Sequence, residues 1–185
     1  RSRLINSAVV HWGGLNPEHL GRVFMNRKAS SHFAVGISEQ TGEVEILQYL
    51  DAAHVAWHAV GANATSIGID ICQQPSLKWK DHYTKKGYSI STMDNHTGRG
   101  DKKVLTIDPQ VALAVKEAIK SLCVLLDIPY QCPRGSNGQS NSGDIYHGVV
   151  DRSFLESDFK GVIGHHHITK TKWDCACWWD QIWED

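Results

Sequence analysis

No apolar run in this 185-residue sequence approaches the ~20 residues that a membrane span requires, so no membrane-spanning segment is expected. Charge of neither sign is in excess. The 19 Lys and Arg against 20 Asp and Glu leave a formal net charge of −1, which implies neither a nucleic-acid partner nor an anionic membrane surface. No signal peptide is visible. Arg1-Ser2-Arg3 leads straight into an apolar stretch, and the expectation is a phage-type chain or one trimmed from something longer. Internal repeats are lacking. The five cysteines (Cys72, Cys123, Cys132, Cys175 and Cys177) are odd in number, which argues against a fully paired disulfide framework. Cys123 falls in an apolar helical pattern and is expected as a small buried residue. What the chain does have in quantity is histidine, 11 residues, and tryptophan, seven. Histidine suits metals and proton transfer. Exposed tryptophan suits flat ligands such as sugar rings.

The length suits one domain with a true core. LINSAVV (4–10) ends in an apolar run and reads as a buried strand, with His11-Trp12-Gly13-Gly14 as its exit. Asn16 and Pro17 read as an N-cap and first helical residue, and Leu20, Val23 and Phe24 give that helix an apolar face. HFAVGIS (32–38) reads as a strand, Thr41-Gly42 as a turn, and 44–48 as the hairpin partner. TSIGIDIC (65–72) is a further strand, whose interior Gly68 points to a close backbone approach. Residues 73–104 are polar and read as a long loop or an insertion. Asp108-Pro109 then opens a strong helix with Val111, Val115, Ala118, Ile119, Leu122 and Leu126 on one face and Pro129 beyond its end. Residues 133–148 read as another loop, 161–164 as a short apolar piece, and 178–183 as a closing helix. The expected fold class is α/β: a single domain, 1–185, with a central mixed sheet flanked by helices.

The stretch GHHHITKTKWDC (164–175) carries the chemistry. Successive residues of an extended chain face opposite ways, so His165, His166 and His167 cannot all reach one ion from a strand. A catalytic zinc needs three protein ligands and an open position. His11, at the mouth of the first strand, is the distant candidate, and Asp174, Cys175 or Cys177 the further nearby one. A solvated histidine-rich turn, and a structural metal site on the C-x-C at 175–177, are the other readings of the same residues.

Four segments then follow one another in order: VVHWGG (9–14); SHFAVG (31–36) with GEVEILQYLDAAHVAWHA (42–59); TSIGIDI (65–71); and GHHHITKTKWDC with WWD after it. Together they resemble the zinc-dependent N-acetylmuramoyl-L-alanine amidases of the type 2 class, which includes phage endolysins, bacterial muropeptide amidases and the peptidoglycan recognition proteins. The resemblance runs from about Val9 to about Trp183. It implies that family's fold, a zinc cofactor and a peptidoglycan substrate. By motif, His11 is the implied first ligand. His165, directly after Gly164, is the second. Asp174, two residues after Lys172, is the third, and Trp179-Asp180 supplies the aromatic-Asp pair that follows it in the family. Where the family commonly has proline next, this chain has Cys175, which keeps the cysteine as an alternative ligand. Asp70 stands where some members carry a catalytic glutamate and is the implied general base. Lys172 is the implied oxyanion stabiliser. Some relatives use instead a tyrosine before the His-Phe pair, a position held here by Ser31. Trp57 and His58, and Trp12 beside the first ligand, are implied substrate contacts, and His32 a structural histidine.

The implied activity is zinc-dependent hydrolysis of the amide between N-acetylmuramic acid and L-alanine in peptidoglycan. The implied enzyme is a monomer, phage-encoded or bacterial, acting on the bacterial cell wall. The competing expectation is a module of the same fold that binds peptidoglycan without cutting it, as in members that have lost a zinc ligand. A domain with structural zinc on Cys175 and Cys177 is the third. Three filled ligand positions favour the enzyme.

Overall fold

The computed structural model describes residues 3–183; Arg1 and Ser2 of the basic start, and the last two residues of the 1–185 domain, lie outside the described residues. A five-stranded sheet forms the middle of the molecule. Its strands are β1 (Ser7–Trp12), β2 (Phe33–Ile37), β3 (Val44–Gln48), β4 (Ser66–Ile71) and, after a gap filled by other elements, a late strand at Gly161–Gly164. The spatial order is β3-β2-β4-β1 and then the late strand; only the β2/β3 hairpin is antiparallel. The fold is thus the mixed-sheet α/β arrangement expected, with helices against the sheet.

Strand alternation assigns the two faces. On β4 (SIGIDI), Ile67, Ile69 and Ile71 are fully buried and pack with Ala8 and Val10 of β1 into the main core. The helix at Pro109–Leu126 closes that core with Val111, Val115, Ala118, Ile119 and Leu122. Each buried Val, Leu or Ile contributes roughly 1.5–3 kcal/mol, so this face dominates the stability. The helix starts where Asp108 accepts from the backbone N–H groups of Gln110 (2.9 Å) and Val111 (3.3 Å). It ends at Asp127, in the left-handed region at φ 54°. The first helix, α1 (Pro17–Met25), is capped the same way by Asn16, which accepts from His19 N–H at 2.8 Å. Ser66, Gly68 and Asp70 face the other side of β4, the side on which the site is built.

The polar segment 73–104 holds more structure than a loop: a short helix α2 (Lys80–Lys85) and a hairpin of β5 (Thr92–Asp94) with β6 (Lys103–Leu105). Val104, Leu105, Tyr83 and Tyr88 anchor it in buried clusters, a few apolar residues that the surrounding polar composition masks. With these elements numbered, the long helix is α3, an unanticipated helix at Arg152–Ser157 is α4, and the late strand is β7. The histidine triplet also departs from the extended reading. His165–Ile168 is one helical turn, α5, so successive rings fan out by about 100° rather than alternating. A 3-10 turn at Ala176–Trp178 and α6 (Trp179–Trp183) close the chain. All five cysteines are free and buried. Among the described residues no helix is long and apolar enough to cross a membrane.

Candidate active site and metal centre

Four neighbouring strands run parallel, so their C-terminal ends share one edge, the place where open α/β sheets present functional groups. The register decides who meets there. His11 pairs with Asp70 across β1 and β4, and Val10 pairs with Gly164 across β1 and β7, which sets His165 beside His11. The chain then returns through 169–173 and brings Asp174 to the same point.

The three donor atoms form a small triangle. His11 Nδ1 lies 3.0 Å from His165 Nδ1, His165 Nδ1 lies 3.0 Å from Asp174 Oδ2, and His11 Nδ1 lies 3.3 Å from Asp174 Oδ2. A tetrahedral zinc with bonds of about 2.0–2.1 Å separates its ligand atoms by about 3.3 Å. The donor set and its size therefore fit that ion. Burial alone would raise the Asp174 carboxyl, but the His11 and His165 rings beside it hold it well below the usual carboxylate range.

Behind the triangle a hydrogen-bond chain orients His11. Its Nε2 lies 3.0 Å from His58 Nδ1, His58 Nε2 lies 3.2 Å from Ser66 Oγ, and Ser66 Oγ donates to the Ala62 carbonyl at 2.7 Å. Because the last acceptor is a carbonyl, the direction is set. Ser66 accepts from His58 Nε2–H, and His58 Nδ1 accepts from His11 Nε2–H. His11 is left with its Nδ1 lone pair aimed at the triangle, the tautomer a metal ligand needs. Burial pushes the His58 imidazole down to about 2, so it stays neutral in this relay. Gly68 makes room for it: a Cβ there would sit 2.8 Å from His58 Cγ and 2.7 Å from Ser31 Oγ.

The other two histidines of the triplet hold the turn together. His167 Nδ1 accepts from Gly164 N–H at 3.0 Å, and its Nε2 donates to the Tyr146 carbonyl at 2.7 Å. His166 Nδ1 donates to the Asp174 carbonyl at 3.3 Å, tying the start of the loop to its end. His32 is structural as expected, accepting from Gly68 N–H at 2.9 Å and donating to the His54 carbonyl at 3.1 Å.

Asp174 and Cys175 part company through the backbone. Cys175 adopts φ 58°, an uncommon conformation for a side-chain-bearing residue, and one that proline with its fixed φ near −65° cannot take. The turn sends the Asp174 carboxylate to the histidines and the Cys175 thiol into the core, where it contacts the Val10 carbonyl at 3.2 Å. Cys177 is equally buried, and burial raises both thiols, Cys177 to about 12. Among the described residues no cluster of metal-ligating atoms includes a cysteine.

Asp70 lies buried beside the triangle. Burial pushes its carboxyl up, opposed by the neighbouring His11 and by a hydrogen bond from the Ser31 hydroxyl. A cavity of about 540 Å³ lies against the site, lined by His58, His165, Thr171 and Lys172 and by Arg152 and Glu156 of α4. Lys172 is exposed. Trp57 is 69% exposed, next to His58 but outside the cavity lining. Trp12 faces away from His11 and packs edge-on against Trp173 and Trp178, ring centroids 4.6 and 5.8 Å apart, so it stands apart from the cavity. Sequence reasoning missed Arg152, Glu156 and Ser66. No local signal says that α4 lines a cavity.

No curated protein sequence matches the chain significantly. Several solved structures are similar to it, among them the following three. AmiD from E. coli, an N-acetylmuramyl-L-alanine amidase held in complex with an anhydro-N-acetylmuramic acid peptide substrate, is 20% identical over 69% of this chain with TM-score 0.46. A mutant endolysin from Bacillus subtilis is 18% identical over 89% of this chain and 72% of its own, with TM-score 0.47. AmpDh3 from Pseudomonas aeruginosa, in complex with anhydromuramic pentapeptide, is 15% identical over 89% of this chain and 52% of its own, with TM-score 0.48. The chain spans 46% of the length of AmiD. The family assignment comes from the sequence itself, since the model of one family matches residues 1–176, a span that takes in His11, Asp70, His165, Lys172 and Asp174. The chain belongs to the N-acetylmuramoyl-L-alanine amidase family, Amidase_2.

Proposed function

We propose that this protein hydrolyses the amide between N-acetylmuramic acid and L-alanine in peptidoglycan, with zinc held by His11, His165 and Asp174. The observation that carries the reading is the donor triangle with edges of 3.0, 3.0 and 3.3 Å, one of whose members, His165, lines the 540 Å³ cavity. Zinc at such a site supplies Lewis acidity and lowers the pKa of water to ~7. The residues do the rest. His58 and Ser66 keep His11 in its ligand tautomer. Asp70, with its carboxyl raised by burial, takes the proton from the attacking water at a carboxylate oxygen and passes it to the leaving nitrogen. Lys172, on the cavity wall, offsets the negative charge that develops on the carbonyl oxygen. His58 and Trp57 line or flank the path of the muropeptide, and Arg152 offers a cation to its anionic groups. Trp12 is the weakest of the substrate contacts, since its ring packs in the aromatic cluster and would have to leave it to meet the muropeptide.

The test is the release of new L-alanine amino termini from purified peptidoglycan, measured with zinc content on the wild type and on Asp174→Ala and Lys172→Ala. The reading expects zinc and cleavage in the wild type and, in Asp174→Ala, loss of cleavage and of the zinc held at this triangle. Lys172→Ala should keep its zinc and lose ~10²–10³ of the rate. Zinc with peptidoglycan binding but no new amino termini would convert the reading to a binding module.

A further inference from the structure

A second group of ligand atoms lies outside the site just described. His96, His147 and Asp180 each place one donor atom within 4.8 Å of the others. His96 Nε2 is 2.9 Å from Asp180 Oδ2, and His147 Nε2 is 2.9 Å from Asp180 Oδ1. The two imidazoles stand nearly perpendicular, at 84°, with centroids 4.9 Å apart. They come from three separate places: the turn of the β5/β6 hairpin, the long loop between α3 and α4, and α6. None belongs to the first triangle.

Two histidines hydrogen-bonded to one carboxylate is the simplest account, and His147 is ill suited to it. With its proton on Nε2 to serve Asp180, its Nδ1 is a bare acceptor, and that atom is buried without a hydrogen-bond partner. The Ala176 backbone carbonyl, also an acceptor, lies beside the ring. With the proton on Nδ1 instead, the Nε2 lone pair faces the Asp180 oxygen at 2.9 Å. Either neutral tautomer sets acceptor against acceptor. A cation between Nε2 and the carboxylate removes the conflict and lets Nδ1–H turn to the carbonyl, the arrangement that supports ligating histidines. Two imidazoles and one carboxylate suit zinc and the neighbouring divalent transition ions, whereas calcium and magnesium prefer oxygen alone. The side chains are 45%, 22% and 27% exposed for His96, His147 and Asp180, so an ion has a way in and water can complete its shell.

We propose that His96, His147 and Asp180 form a second divalent transition-metal site, which clips the β5/β6 hairpin to α6. The clip has a definite consequence. Arg99, in the same hairpin turn, donates to the carbonyls of His166 (3.0 Å) and Lys172 (3.4 Å). Gly100, at φ +74°, backs onto the Trp173 ring where a Cβ would come within 2.4 Å. Pinning His96 therefore braces the loop that delivers Asp174 and Lys172. The proposal does not depend on the catalytic reading.

Metal content after equilibration with chelator-buffered Zn²⁺ and gel filtration tests it, on the full chain. The expected result is two zinc ions per chain in the wild type, one in His96→Ala, one in Asp174→Ala and none in the double variant. His96 is exposed, so its removal spares the core. Zinc should also raise the melting temperature of Asp174→Ala, and that rise should vanish when His96→Ala or His147→Gln is added. One zinc in both the wild type and His96→Ala, with loss only in Asp174→Ala, overturns the second site and leaves the first intact. If Asp174→Ala does not fold, the count of wild type against His96→Ala decides alone: two against one supports the site, and equal counts overturn it.

Discussion

Removing His58 should weaken zinc binding without removing a ligand. The ring has two neighbours in the relay, His11 Nε2 at 3.0 Å and Ser66 Oγ at 3.2 Å, and none of its atoms enters the donor triangle. In His58→Ala, His11 loses the acceptor that fixes its tautomer and angle. Losses of this kind lower metal affinity about 10–100-fold, or about 1.4–2.7 kcal/mol. Two further variants act on the same relay from different sides. Ser66→Ala leaves the ring in place but strands a buried Nε2–H, so its effect should be smaller. Gly68→Ala inserts a Cβ 2.8 Å from His58 Cγ and should displace the ring, lowering both affinity and stability, the latter by roughly 1–3 kcal/mol. The assay is a zinc titration against a chromophoric chelator, read in a His96→Ala background so that only the first triangle is counted. Thermal melts of the zinc-free forms run beside it. The expected order of affinity is wild type, then Ser66→Ala, then His58→Ala. Equal affinities for wild type and His58→Ala would refute the orienting role and reduce the relay to packing.

Three other outcomes follow from the geometry. Cys175→Ser should keep the zinc count of the wild type, because the thiol points into the core; a lost ion would make the cysteine a ligand after all. Burial holds the His32 imidazole below its ordinary value, with the Arg3 charge adding to the effect and the His54 carbonyl opposing it. The unfolded chain gains a proton there as pH falls through ~6.5 and the folded chain only at lower pH, so between the two stability falls with pH by up to ~1.4 kcal/mol per unit per such group. Urea melts of zinc-free protein between pH 7 and 5 should show a shallower fall for His32→Gln than for wild type, and equal slopes would contradict the assignment. Arg152→Ala removes a cation from the cavity lining and should raise KM for muropeptides several-fold with little change in kcat; a fall in kcat alone would move Arg152 out of the binding role.

Much of this molecule is written in local pattern. The spacing of Val111, Val115, Ala118, Ile119 and Leu122 marks the buried face of α3. Asn16 and Asp108 mark two helix starts through side-chain chemistry that needs no distant partner. The alternation in SIGIDI separates a core face, carrying the three isoleucines, from a site face carrying Asp70. The motif resemblance also picked out His11, His165 and Asp174, and these residues meet. Tertiary structure decided the rest, because the deciding contacts join residues far apart in sequence. Which of Asp174 and Cys175 faces the histidines rests on one backbone angle at Cys175. The place of His58 depends on β4 presenting Gly68 beside it, and that of Trp12 on which way β1 turns its pleat. The hairpin in 73–104 is anchored by a few apolar residues that its polar composition hides, and Arg152 lines the cavity only because α4 packs beside it. His96, His147 and Asp180 carry no shared motif at all: three segments with no local relation are brought together by the packing of the hairpin, a loop and the last helix.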